Sequence, residues 1–243
     1  MTSKKACTLF LVVLLFMLSA CSGEKKIIDV SGLTKENSYF DFENDTFYDR
    51  YYEGGTLVKE FVIENSSIKE VKTYDRSGID FYKEYVYASD ACEGEYSSYN
   101  THYVSSSGNI TKTIIGDRDG NTLETINYTY DEKDNLIKKD MLGSIGVRTA
   151  CFEYRYNNYG KLLKRYEYDE KTKLAEIVEF FYNDDGDCIK KEYLDSGSNL
   201  IKTVEYEYAE TGKPSKITTV TAEGVTEYEV VFEYDDNMNL ILK

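Results

Sequence analysis

From Tyr128 to Leu240 apolar and polar positions alternate with period two, and one short phrase returns within that alternation. It reads Tyr128-Thr-Tyr130-Asp131, Tyr154-Arg-Tyr156-Asn157, Phe180-Phe-Tyr182-Asn183, Tyr206-Glu-Tyr208-Ala209 and Phe232-Glu-Tyr234-Asp235. The second tyrosines, 130, 156, 182, 208 and 234, are spaced 26 residues apart without slippage. A fixed period of roughly 20 to 50 residues marks a repeat architecture. Each phrase leads into a turn, such as Asn157-Asn-Tyr-Gly160 or Asn183-Asp-Asp-Gly186. Asp and Asn suit turns because their short side chains bond the backbone just ahead, and Gly accepts positive φ. Six residues past each anchor stand Leu136, Leu162, Cys188, Pro214 and Leu240. Pro214 is expected to mark a weak or frayed strand.

Period-two alternation describes half-buried strands. Leu174, Glu176, Val178, Phe180 and Tyr182 share one side, whereas Glu153, Glu179, Glu205 and Glu229 occupy the other. With four residues in each turn, Glu153 faces Lys164, Glu179 faces Lys190 and Glu205 faces Lys216. Such pairs contribute roughly 0.2–1 kcal/mol each, enough to favour a register. Buried Tyr, Phe and Leu, at about 1.5–3 kcal/mol apiece, supply most of the stability. Leu174, Ile177, Val178 and Phe181 also fit helical spacing, but the matching windows of other units are rich in Thr, Val and Tyr, which favours strand. A second set of turns, including Leu142-Gly-Ser-Ile-Gly146 and Leu194-Asp-Ser-Gly-Ser198, fills each half-period. The unit is therefore a β-hairpin handing on to the next. The fold class is all-β: an antiparallel meander of about 14 to 18 strands in one twisted, curled sheet. Curling brings Tyr128, Tyr154, Phe180, Tyr206 and Phe232 onto a concave or covered side, either as core or as a platform for an extended ligand.

These phrases resemble the YD (Rhs-type) repeat, Tyr-Asp followed by Gly and Leu at fixed offsets. Tyr156-Asn157 through Gly160 to Leu162 matches best, while Asp134 and Met238 replace the Gly elsewhere. The resemblance implies a long winding antiparallel sheet serving as scaffold, shell or adhesive surface. Residues 39–124 read as looser hairpins of one continuous domain with the regular repeats of 125–243. In them Tyr51-Tyr52-Glu-Gly54-Gly55 resembles a MORN-like variant phrase, and the 26-residue interval is not visible.

Residues 1–20 read as an export signal, with Lys4 and Lys5 before an apolar run too short to span a membrane as a mature helix. Leu18-Ser19-Ala20-Cys21 resembles a bacterial lipobox, which implies cleavage before Cys21, lipidation of its thiol with palmitate-type acyl chains, and a polar tether over residues 21–38. Ile27 to Val30 is an alternative first strand. The resemblance implies a cell envelope location, lipid-anchored to a bacterial membrane, with the mature domain outside the cytoplasm. Which membrane holds it is not fixed by the sequence.

Removing residues 1–20 takes Lys4 and Lys5 away and lowers the net charge from −15 to −17. That excess disfavours nucleic acid and anionic head groups as partners. Cys92, Cys151 and Cys188 match no metal spacing; a Cys92–Cys151 bridge is open to an exported chain, and Cys188 reads as a small buried hydrophobe. His102 is the only histidine and reads as a part-exposed residue at a strand edge. Asp117-x-Asp119-Gly120-Asn121 and Asn183-Asp184-Asp185-Gly186-Asp187 have some flavour of calcium loops, but their glycines are misplaced and turns explain them. No cofactor, metal or catalytic residue is expected. The functional expectation is a monomeric, non-catalytic envelope lipoprotein with a glycan- or protein-binding or scaffold surface. The alternative is a glycan-acting hydrolase using an acidic pair on the sheet.

Overall fold

A computed structural model describes residues 26–36, 38–64, 67–76, 80–88, 90–91, 95–236 and 240–241. The expected signal and lipid-attachment residues, Leu18, Ser19, Ala20 and Cys21, lie outside the described residues, as does Cys92. The chain forms one antiparallel sheet, not closed into a barrel, with 17 strands among the described residues. The strands are β1 (Thr34–Lys35), β2 (Tyr39–Asp41), β3 (Thr46–Glu53), β4 (Thr56–Glu64), β5 (Ser67–Asp75) and β6 (Phe81–Ala88). They continue through β7 (Ser98–Val104), β8 (Ile110–Asp117), β9 (Thr122–Tyr130), β10 (Leu136–Gly143), β11 (Arg148–Tyr156) and β12 (Leu162–Tyr168). The last are β13 (Leu174–Tyr182), β14 (Cys188–Asp195), β15 (Leu200–Tyr208), β16 (Pro214–Thr221) and β17 (Thr226–Val231). From β2 onward each strand pairs with the next, while β1 lies beside β3 at Tyr51 and Tyr52. The helical alternative across 174–181 gives way to strand β13.

A single turn design recurs at both ends of the strands. In the 157–161 turn Asn157 N donates to Lys161 O and Gly160 N to Asn157 O. This is a type I turn followed by a left-handed residue that makes a bulge. The same two bonds close every turn from Ser105 to Val225. Asp and Asn open them because one side-chain oxygen accepts two amides: Asp131 Oδ1 takes those of Lys133 at 2.8 Å and Asn135 at 2.9 Å. The left-handed position holds Gly160 at φ 80° and Asp134 at φ 62°, which explains why Asp substitutes there.

The bulge also corrects the expected ion pairs. It lengthens each hairpin end, so Glu153 stands opposite Tyr166 and Lys138, and Glu205 opposite Thr218 and Lys190. The lysines face glutamates of the next hairpin instead: Lys164 pairs with Glu179, with Nζ 2.5 Å from Oε1. Because the slip is two residues, every side chain keeps its face.

The 26-residue interval has a physical cause. The hydroxyl of Tyr156 donates to Leu136 O at 2.9 Å, Tyr182 to Leu162 O at 2.7 Å, Tyr208 to Cys188 O at 2.6 Å and Tyr234 to Pro214 O at 2.6 Å. Each anchor ring thus ties its hairpin to the carbonyl that opens the return strand of the preceding one. Tyr130 does the same to Ile110 O at 2.8 Å, and Val104 pairs with Ile110 as Tyr130 pairs with Leu136. The interval therefore reaches one unit further back than the tyrosines reveal. Pro214 is no frayed site: it is buried, opens β16 opposite Tyr208, and needs no donor there.

Two faces of the ribbon can be followed through the paired residues. One, the ladder face, carries Glu60, Glu84, His102, Tyr128, Tyr154, Phe180 and Tyr206; the reverse face carries Phe47, Phe61, Val71, Glu153, Glu179 and Glu205. Reverse-face Phe47 packs on ladder-face Phe232 with centroids 4.8 Å apart, and Phe40 meets Tyr206 at 6.2 Å. Phe42, in the turn between β2 and β3, meets Phe180 at 6.3 Å. A sheet folded in half would press one face against itself. Opposite faces in contact require the ribbon to wind over itself, with β2–β4 inside and β11–β17 outside. The reverse face of the inner layer is also covered by the chain's first described segment. There Ile27 is 2 % exposed, and Lys59 Nζ donates to the carbonyls of Ile27 and Asp29. Ile27 to Val30 is thus a packed turn and not a strand, and the segment from Lys26 onward lies on the body.

Candidate functional site

Winding turns the ladder face of β3–β9 toward the inside, and that stretch is polar. Glu60, Glu84, His102 and Thr113 are all buried. They lie on β4, β6, β7 and β8, with Lys72 and Tyr74 of β5 between them. Glu60 accepts from Arg50 Nε at 2.8 Å and from the Tyr74 hydroxyl at 3.1 Å. Glu84 accepts from Asn100 Nδ2 at 2.7 Å and has Lys72 Nζ at 3.6 Å. His102 Nε2 lies 3.8 Å from Glu84 Oε2, and its Nδ1 is 2.9 Å from Thr113 Oγ1, which in turn donates to the Tyr128 hydroxyl at 3.3 Å. Tyr82 stacks on the imidazole at 4.7 Å, and the Arg76 guanidinium lies 4.5 Å over the Tyr82 ring.

The electrostatics follow from enclosure. Burial holds His102 below its ordinary value, with Glu84 acting the other way and Lys72 and Arg76 reinforcing the drop. The imidazole is therefore neutral at neutral pH. Its Nε2 makes no hydrogen bond among the described residues. Burial, with Glu84 second, pushes the Tyr82 hydroxyl up to about 12, and Tyr74 is raised further by burial and by Glu60 and Glu84. Chemically the cluster offers carboxylates, cations, hydroxyls and ring faces within one enclosed strip, suited to holding a polar ligand or to fixing the roll.

The sequence reading placed His102 at a part-exposed strand edge. It sits instead on β7, paired on both sides and 8 % exposed, because winding puts its face inside. The cluster leaves no mark in the sequence because Glu, Lys and His at alternate positions look like a solvated face. Of the two readings of the aromatic ladder, core and ligand platform, burial favours core. Tyr154, Phe180, Tyr206 and Phe232 are between 4 % and 8 % exposed and form the seam between layers, while Tyr128 is half-buried at the edge of the polar cluster. Across the seam Lys191, with its side chain wholly enclosed, donates to Phe42 O and to Asp45 Oδ2, both at 2.8 Å. Tyr206 donates to the other oxygen of Asp45 at 2.5 Å. The layers leave a partly open pocket of 170 Å³ between them, where Phe47, Ile63, Val204 and Phe232 meet the polar Asp45, Glu64 and Thr219. Cys151 and Cys188 are free and buried. The Asp117 and Asn183 loops are turns of the common design.

No protein-family model and no curated protein matches the chain. Among solved structures it is similar to a porin-like protein of Bacteroides uniformis, at 10% identity and TM-score 0.46, covering 86% of this chain and 89% of that one. A porin-like protein of Bacteroides vulgatus gives 10% identity and TM-score 0.41, covering 84% and 99%. The Tc holotoxin pore of Photorhabdus luminescens gives 12% identity and TM-score 0.21, covering 80% of this chain and 15% of that one.

Proposed function

We propose that the protein is a non-catalytic scaffold or binding body of the bacterial cell envelope, tethered by lipid at Cys21. The observation that carries this reading is the use made of the repeated residues. The aromatic ladder is spent on the seam and the anchor hydroxyls on tying hairpins together, while the outer layer presents rows of Glu and Lys. Such a body is rigid and preformed, which lowers the ordering cost of binding. The lipobox-like Leu18-Ser19-Ala20-Cys21 supports the tether. In a bacterial host, Cys21→Ala should move the protein from the membrane to the soluble fraction and abolish labelling by an alkyne fatty acid. Unchanged labelling would refute the anchor. The soluble form, residues 22–243, on glycan arrays and in peptide pull-downs tests the binding role; silence in both leaves scaffolding alone.

A second reading, a glycan-acting hydrolase, is favoured by one feature: two buried carboxylates, Glu60 and Glu84, beside the hydroxyl of Tyr74. It predicts hydrolysis of envelope glycans that Glu84→Gln abolishes with folding intact.

A further inference from the structure

Strands from β7 onward end at two rims, and these differ in character. The rim that follows the anchor tyrosines gathers acids, with Asp131, Glu132 and Asp134 in one turn and Asp184, Asp185 and Asp187 in another. Its most exposed ring, Tyr159, is flanked by Asn157, Asn158 and Lys161. The half-period rim carries the most exposed aliphatic side chains, although Val231 at 55 % is open at the tyrosine rim. Ile145 is 85 % exposed, Val225 61 % and Val147 59 %, with Leu123 and Ile201 beside them. The 143–147 turn there carries no charge.

The chain's first described residues start near this second rim. Ile27 N donates to Ala91 O, and Ala91 N to the carbonyl of Ala88, the residue that ends β6 at the half-period rim. From there the segment runs to β1, which pairs with Tyr51 and Tyr52 next to the Gly54–Gly55 turn at the tyrosine rim. Five steps separate Lys26 from Cys21, a reach of at most about 17 Å. A nine-residue strand is about 30 Å tall. Starting beside Ala91, a tether this short favours the half-period rim as the one nearer the bilayer that holds its lipid.

We infer that the half-period rim is the membrane-facing surface, with Ile145, Val147 and Val225 seated among the head groups of a lipid bilayer. This rests on the lipid-anchor reading. Aliphatic tips beside an uncharged turn suit an interface, while the most acidic turns, 131–134 and 184–187, face away from it. The chain contains no Trp, so single reporters can be placed cleanly. Full-length lipidated Ile145→Trp, Val225→Trp and Tyr159→Trp proteins are reconstituted into phosphatidylcholine vesicles with or without brominated acyl chains. Brominated lipid should quench the Ile145→Trp and Val225→Trp proteins about twofold and leave Tyr159→Trp unchanged, as expected for residues at the acyl boundary. Equal quenching at both rims, none at either, or the reverse pattern, in protein that floats with the vesicles, overturns the orientation and leaves the anchor standing. Failure to float removes the anchor reading and the orientation with it.

Discussion

Breaking the ion pair that bridges the two layers tests the wound architecture most directly. Lys191 lies on β14 and Asp45 in the turn before β3, 146 residues earlier, so their contact exists only if the ribbon overlaps itself. The Lys191 side chain is 0 % exposed and Asp45 is 31 % exposed. Replacing Asp45 by Ala leaves an enclosed ammonium with the Phe42 carbonyl as its remaining cross-layer acceptor, and takes the acceptor from Tyr206. Removing one partner of a buried pair costs about 3–5 kcal/mol, and the open side of Asp45 argues for the lower end. Lys191→Met removes the charge itself and leaves Asp45 reachable by water, so it should cost about 1–2 kcal/mol. In the double variant the losses should not add, with a coupling of about 2 kcal/mol. Equilibrium urea unfolding of the three variants, with the m-value held constant, reads these differences. If Asp45→Ala lies within about 0.5 kcal/mol of the parent, or the two losses simply add, the layers do not meet there and the wound arrangement is wrong.

Three further outcomes follow from the same contacts. Tyr182→Phe keeps the ring but orphans the Leu162 carbonyl, so urea unfolding should show a loss of about 1 kcal/mol. Thr172 occupies the left-handed position of its turn at φ 61°, which Gly146 fills one unit earlier and Gly224 two units later; Thr172→Gly should raise stability by about 1 kcal/mol, and any loss there refutes the strain argument. His102 is held below its unfolded value, so the unfolded chain binds more protons as pH falls through about 6.5. Stability should be full above that pH and decline below it, and His102→Gln should flatten that part of the pH profile.

The residues themselves declare the hairpin and its interval. Tyr130 to Tyr234 recur because each hydroxyl must meet a carbonyl of the preceding unit, and Asp or Asn opens each turn because one oxygen must accept two amides. Such requirements are local and leave a mark at fixed spacing. The bulge leaves a fainter one, so the spacing matches Glu153 with Lys164 while the bulge puts Tyr166 there, on the same face. Whether Phe180 meets ligand, solvent or another layer is not local at all. It depends on how far a twisted sheet winds, which sums small rotations over all the strands. Winding alone set Phe42 over Phe180, closed Asp45 on Lys191, and enclosed Glu60, Glu84 and His102 on a face whose alternation looks solvated. Period and register were legible because neighbours in the ribbon impose them; inside and outside were not, because that distinction belongs to the overlap of strands far apart in the chain.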